Sequence, residues 1–366
     1  MDPVSQFVLG ASVGTAVLGR RMGVRKAALA GGLLGVLPDT DVLWPFDNEV
    51  DSFVLHRGAT HSLVMHALVT PVFAEALRLA DKSLRDARWQ TYLGVFLCLT
   101  THALLDAMTI YGTQLLWPLW TEPFGVGSIF IIDPLYTLPL LVVVVWALFK
   151  RDWSPGFGKA LAAALIFSTA YLGWGVVGQT VATARAEQAL ADAGIEHDRA
   201  FATPVPLNSF FWRVVAIDGP RYYNVYVPLL GEDETITAYR HPRLTVSAEC
   251  LNGNEWMRTL SAFSKGFFRL DMEPDGRLIM SDLRMGLTPR YVFRFVVAEQ
   301  NGHALETTEP QRIRSERAGE GDFEWMLAGV RGEGTVRPSE SGSAVDLAAK
   351  PAGTAVAGRS ATAPLC

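Results

Sequence analysis

The chain has 366 residues, 49% of them hydrophobic and 19% charged, with a mean hydropathy of +0.20 and a net charge of −5. An ordinary soluble domain carries about 25% charged residues, and here the deficit lies in one half: residues 1–181 hold 25 of the 69 Asp, Glu, Lys and Arg, and residues 182–366 hold 44. That balance excludes a disordered, collagen-like or disulfide-scaffold chain, and the lack of a basic footprint argues against nucleic acid as a partner.

The low-charge half reads as an α-helical, polytopic membrane domain. Met1 to Gln6 lacks the positive region of a signal peptide. Six nearly uncharged stretches follow, at residues 3–19, 27–38, 58–74, 89–105, 134–149 and 160–184. They predict about six helices, two of them short or re-entrant. The last stretch has 25 residues without an acid or base, more than the roughly 20 that span a hydrocarbon core. The second has 12, about 18 Å of helix, and cannot cross alone. Gly10, Gly14 and Gly19 on the first stretch and Gly31, Gly32 and Gly35 on the second suit close helix packing in lipid. The competing reading is a buried helical core of a soluble protein.

Charge placement favours the membrane. If the stretches alternate in direction, 11 basic residues from Arg20 to Lys159 fall on one side and Arg57 alone on the other. The positive-inside rule makes the basic side cytoplasmic, with the N-terminus outside and the chain leaving the bilayer outside near residue 182.

Residues 182–200 read as a juxtamembrane helix, and Thr203-Pro-Val-Pro206 as a boundary. Residues 211–217 and 222–227 flank Asp218-Gly219-Pro220, a hairpin signal, and residues 277–283 and 291–299 are further strand candidates. The expected organisation is a membrane-embedded helical domain over 1–181, the helix over 182–200, a small, mainly β extracytoplasmic domain over 201–331, and a disordered Gly-, Ser-, Ala- and Pro-rich tail over 332–366. The cysteines, Cys98, Cys250 and Cys366, are too scattered for a metal knuckle; Cys98 reads as packing, and a Cys250–Cys366 bond is left open.

Four of the seven histidines, His56, His61, His66 and His102, fall within 47 residues and stand among carboxylates. Ionisable groups in membrane segments are costly and mark function, and imidazole with carboxylate is the donor mixture that borderline divalent cations prefer. His102 and Asp106 are four apart and share a helix face. Asp39 and Asp41 follow the short second helix, where Pro38 ends regular structure and is expected to turn both carboxylates toward one point. His56 and His61 flank Gly58, with Thr60 as a candidate N-cap. In the predicted topology Asp39, Asp41, His56, His61, His102 and Asp106 all gather at the outer face, and these six are the expected metal ligands. His66, five residues from His61, reads as packing or as a group behind a ligand rather than a ligand. Asp2 and Asp133 are candidate helix caps that could also touch the site. Arg57 either neutralises ligand carboxylates or holds an anionic substrate group. The aromatics Tyr111, Trp117, Trp120 and Phe124 read as an interfacial belt rather than a stacking site.

These motifs resemble a bacterial family described as LexA-binding, inner-membrane-associated, metal-dependent hydrolases. The resemblance rests on Met1-Asp-Pro-Val-Ser-Gln6, Ala16-Val-Leu-Gly-Arg20, Leu37-Pro-Asp-Thr-Asp41, His56-Arg-Gly-Ala-Thr-His-Ser62, Thr101-His-Ala-Leu-Leu-Asp106, Tyr111-Gly-Thr-Gln-Leu-Leu-Trp-Pro118 and Ser128-Ile-Phe-Ile-Ile-Asp-Pro-Leu-Tyr136, and extends through Tyr291-Val-Phe-Arg-Phe295 to about residue 300. It implies a multi-pass inner-membrane hydrolase. The LexA-binding label does not fit a site on the outer face and is not carried over. A His at position 6 in relatives would add a ligand where this chain has Gln6.

The function expected is therefore hydrolysis of a lipid or lipid-linked ester or phosphoester at the outer face of the inner membrane. One or two divalent ions, zinc or manganese, would activate water, with Asp133 or a site carboxylate as general base and Arg57 beside it. The alternatives are a divalent-cation or proton-coupled transporter, which would need a relay to the inner face, and a membrane-anchored scaffold with a structural metal whose β domain binds an envelope protein.

Overall fold

The computed structural model describes residues 1–231, 235–243, 254–302, 304–314 and 319–348; Cys250 and Cys366 lie outside them. The chain forms two compact units, residues 1–44, 55–177 and 206–209 in the first and residues 45–54, 178–205 and 210–366 in the second.

The first unit is helical. α1 (Pro3–Met22) starts at Asp2, whose carboxylate accepts the amides of Val4 and Ser5, and Pro3 stands where no amide is needed. α2 (Val24–Val36) packs on it through facing glycines: a Cβ on Gly31 would stand 2.4 Å from the Gly10 carbonyl oxygen, and one on Gly35 2.8 Å from Gly10 Cα. The backbones touch because Gly10 and Gly14 face Gly31 and Gly35, the small-xxx-small pattern of tight helix pairs. A 3-10 helix (Leu37–Leu43) continues α2. After α3 (Glu49–Leu55), which is mostly in the second unit, come a 3-10 turn (Ala59–His61), α4 (Leu63–Ala80) capped by Ser62, α5 (Arg88–Ala107), and α6 (Pro134–Phe149) capped by Asp133.

α7 (Pro155–Asp192) is a single helix of 38 residues. The helix expected over 182–200 is therefore its continuation and stops at Asp192, since the first strand begins at Arg199.

All six predicted stretches are helical, but among the described residues only α4 and α7 are long and apolar enough to cross a membrane, and α6 is apolar over 16 residues. The expectation of about six crossings is met only to that extent. The reason lies in composition. α1 buries Ser5, Gln6, Ser12 and Thr15, and α5 buries Thr91, Thr100, His102 and Asp106, so polar groups turned toward helix neighbours dilute the apolarity that a lipid-facing helix shows all round.

The second unit is mainly β. Its larger sheet has the order β1-β2-β3-β4-β11, made of β1 (Arg199–Pro204), β2 (Phe211–Asp218), β3 (Arg221–Pro228), β4 (Thr237–Pro242) and β11 (Ala344–Val345), with each neighbouring pair antiparallel. The predicted hairpin closes with Asp218 opposite Arg221. Gly219, at φ +48, supplies the turn's left-handed residue. Ala182, Ala186 and Leu190 of α7 cover one face of this sheet against Trp212, Val214 and Val225. The second sheet runs β10-β9-β6-β5, from β5 (Phe268–Met272), β6 (Arg277–Asp282), β9 (Arg294–Asn301) and β10 (Ala304–Arg312); a small ribbon pairs β7 (Gly286–Leu287) with β8 (Arg290–Tyr291). The helices α8 (Glu255–Phe263) and α9 (Asp322–Val330) complete it. Phe53 of α3 inserts among the rings of Phe263, Phe293 and Phe295, with centroids 4.5, 4.2 and 5.3 Å away.

The tail expected to be disordered from residue 332 is ordered over residues 332–348. Arg337 and Glu340 are buried there. Arg337 pairs with Asp322 at 3.0 Å and with Glu340 at 2.8 Å, and Glu340 accepts from Asn224, Tyr226 and His241 at 2.6 Å each. Composition suggested disorder, but two charges locked into a buried network hold the segment. Residues 349–366 lie outside those described.

Candidate metal centre

Four side chains from three elements meet in the first unit: Asp39 on the 3-10 helix after α2, His61 on the turn before α4, and His102 and Asp106 on one face of α5. One donor atom from each lies within 4.8 Å of the other three. His61 Nε2 is 3.0 Å from His102 Nε2, 3.4 Å from Asp39 Oδ1 and 3.3 Å from Asp106 Oδ2. His102 Nε2 is 3.5 Å from Asp39 Oδ1 and 3.6 Å from Asp106 Oδ2.

These separations allow a test of fit. A tetrahedral ion with bonds of about 2.0–2.1 Å spaces its donors by about 3.3–3.4 Å, and the five edges above run from 3.0 to 3.6 Å. Asp106 Oδ2 is fully buried and accepts no hydrogen bond, although Arg57 Nε lies 3.1 Å away. Arg57 balances its charge, and the oxygen still has lone pairs free to take a further ion. Two nitrogen and two oxygen donors suit a borderline ion. The buried cluster Asp39, His61, His102 and Asp106 could therefore hold a metal ion.

The outward faces of these side chains are secured. His102 Nδ1 lies 2.6 Å from the carbonyl oxygen of Gly35, an acceptor only, so it carries the proton and leaves Nε2 turned inward. Gln6 Nε2 donates to Asp106 Oδ1 at 3.0 Å and to the His102 carbonyl at 3.3 Å; the Met1 amine also pairs with Asp106 Oδ1. His61, His102 and Asp106 are buried, whereas the Asp39 side chain is 22% exposed and is the member of the four that reaches the surface. Burial alone would raise the Asp39 carboxyl pKa, but the His102 and His61 rings outweigh it and hold the group ionised, well below the usual range.

Two of the six expected ligands stand elsewhere. Asp41 Oδ1 is 2.9 Å from His56 Nδ1, and its Oδ2 accepts from the Arg57 amide and the Thr60 hydroxyl. Burial opposes its ionisation, and the His56 ring and Arg57 amide overcome this to lower its pKa. The expectation that Asp39 and Asp41 turn to one point fails on helix type: about three residues complete a 3-10 turn, so residues two apart diverge by about 120°.

Arg57, at φ +67, is buried, with its guanidinium 4.8 Å from the Tyr111 ring centre and Nη1 donating to Thr109 Oγ1 at 3.2 Å. Its Nε pairs with the buried Asp106 carboxylate at 3.1 Å. Tyr111, expected in an interfacial belt, is buried beneath it.

Asp133 caps α6 and accepts from Tyr171 at 2.9 Å and Ser209 at 3.0 Å; none of its hydrogen bonds reaches the cluster. It is a structural anchor where a general base was expected. Asp2 is likewise a cap. His66 Nε2 holds the Thr60 carbonyl at 2.8 Å and does not point at the cluster. Sequence reasoning left Gln6 undecided and took Thr60 for a cap, a part Ser62 plays. It gave the Gly35 carbonyl no role; the facing glycines were its signal.

Residues 1–182 match the model of a family described as YdjM inner membrane protein. The match covers the helical half and all four residues of the cluster, where the motif resemblance had been drawn to about residue 300; its description places the family in the inner membrane and says nothing of hydrolysis or LexA. No curated protein and no solved structure matches the chain.

Proposed function

We propose that the protein is an inner-membrane, metal-dependent hydrolase with one divalent ion, zinc or manganese, held by Asp39, His61, His102 and Asp106. The observation that carries this reading is the inward convergence of two imidazole Nε2 atoms and two carboxylate oxygens at close to tetrahedral spacing, with Asp39 partly exposed. An ion held there would supply Lewis acidity and lower the pKa of a water it binds. Asp39, the least buried of the four side chains, is the one an incoming water would meet first. Arg57 neutralises Asp106. The residues that follow Asp41, namely Val42, Leu43 and Trp44, are 65, 81 and 71% exposed. An apolar lip next to the centre suits a substrate with a hydrocarbon part, so the substrate class is a lipid or lipid-linked ester or phosphoester, met at the outer face in the topology that the basic loops indicate.

The test is bound metal in detergent-purified wild type, Asp39→Ala and His102→Ala, alongside hydrolysis of ester and phosphoester lipids with and without chelator. About one ion per wild-type chain is expected, with loss in both variants and hydrolysis that stops on chelation. Equal metal in all three proteins would refute the centre; metal binding without hydrolysis of any ester or phosphoester would refute the enzyme.

A further inference from the structure

His61 must present a bare Nε2 to serve as a ligand, and the geometry around its other nitrogen decides whether it does. Nδ1 lies 3.0 Å from Thr60 Oγ1, and the same hydroxyl lies 2.9 Å from Asp41 Oδ2. A hydroxyl has one proton. Directed at His61, it would leave two acceptor oxygens, Thr60 Oγ1 and Asp41 Oδ2, facing each other at 2.9 Å with nothing between them. Directed at Asp41, it satisfies the carboxylate and turns an oxygen lone pair to His61 Nδ1, which must then carry the ring proton. Asp41 is fixed in turn by the Arg57 amide at 3.0 Å and by His56 Nδ1 at 2.9 Å.

We infer that Thr60 is a positioning residue: its hydroxyl, oriented by Asp41, sets the His61 tautomer and so makes Nε2 available to a divalent cation. The inference rests on the metal-centre reading above and assigns Asp41 a place behind a ligand. It gives His61 a side-chain counterpart of the backbone carbonyl that fixes His102. Metal-bound imidazoles are commonly held so by an acceptor on the far nitrogen; here the carboxylate acts through an interposed hydroxyl.

Thr60 is itself exposed, so Thr60→Val removes the hydroxyl without opening a core cavity. His66 grips the Thr60 backbone carbonyl, which the variant keeps. Two readouts on the full chain in detergent test the idea. The first is Zn2+ affinity by competition with a chromophoric chelator: Thr60→Val is expected to weaken binding about 10–100-fold, Thr60→Ser to stay near wild type, and Thr60→Ala to repeat the loss if valine disturbs folding. The second is the 15N spectrum of the histidine rings in metal-free protein, where His61 is expected in the Nδ1-protonated form in wild type and Thr60→Ser and as a tautomer mixture in Thr60→Val. Wild-type affinity in Thr60→Val and Thr60→Ala, or an unchanged His61 tautomer, would overturn the inference. A wild type that binds no Zn2+ refutes the metal-centre reading, while the ring spectra still decide the tautomer claim.

Discussion

Gly31→Ala tests whether the contact of α1 with α2 sets the geometry of the proposed metal centre. The added Cβ would lie 2.4 Å from the Gly10 carbonyl oxygen and 2.9 Å from Gly14 Cα, both backbone atoms, so no side chain can rotate away. Ordinary contact begins near 3.4 Å, so the two helices must part by about 1 Å in a close-packed interior. Overpacking of this kind costs about 1–3 kcal/mol. The consequence at the centre follows one turn along α2. Gly35 accepts from His102 Nδ1 at 2.6 Å, and a shift of that size lengthens the contact to about 3.6 Å, beyond a hydrogen bond. With His102 released, cation affinity should fall about 10–100-fold. Thermal unfolding in detergent and chelator competition measure the two effects. Gly173→Ala is the control, because a Cβ there meets nothing within 4 Å. Gly31→Ala with the affinity and unfolding temperature of wild type would falsify the link from glycine packing to the site.

Two further predictions concern the β unit. Phe53→Ala should destabilise it by about 3–5 kcal/mol, since the ring is buried among three others; a denaturant midpoint unchanged from wild type in the full chain would contradict this. Burial works to raise the Glu340 carboxyl pKa, but His241, Arg337 and Tyr226 prevail and set it below the ordinary value of 4.5. A carboxylate with a depressed folded pKa adds stability that is complete above the unfolded value and is lost as pH falls through the folded one. Wild type should thus lose stability below about pH 4.5, while Glu340→Gln should be weaker at neutral pH and decline less in acid; parallel stability–pH curves for the two would count against it.

Much of this was readable from sequence because the signals were local. His102 and Asp106 share a helix face by spacing alone, and Asp218-Gly219-Pro220 announced its hairpin. The failures share a different cause. Whether Asp41 joins Asp39 depends on the helix type after Pro38, which composition does not report. Asp133 was ambiguous between cap and base until Tyr171 and Ser209, 38 and 76 residues away, took up its second oxygen. The span count was overread because α1 and α5 carry polar residues that serve neighbours inside the bundle. The part of the tail over residues 332–348 is ordered because the buried charges of Arg337 and Glu340 outweigh its weak composition.

The chain's path between its two units carries one more consequence. Residues 45–54, between Asp41 and His56, belong to the β unit, and residues 206–209, deep in the second half, belong to the helical one. Each unit thus borrows a segment from the other's stretch of sequence, and no single cut separates them. A fragment ending at residue 182, where the family match stops, would leave Phe53 without its aromatic pocket and Asp133 without the Ser209 hydroxyl. The family boundary is therefore a boundary of resemblance and not of folding.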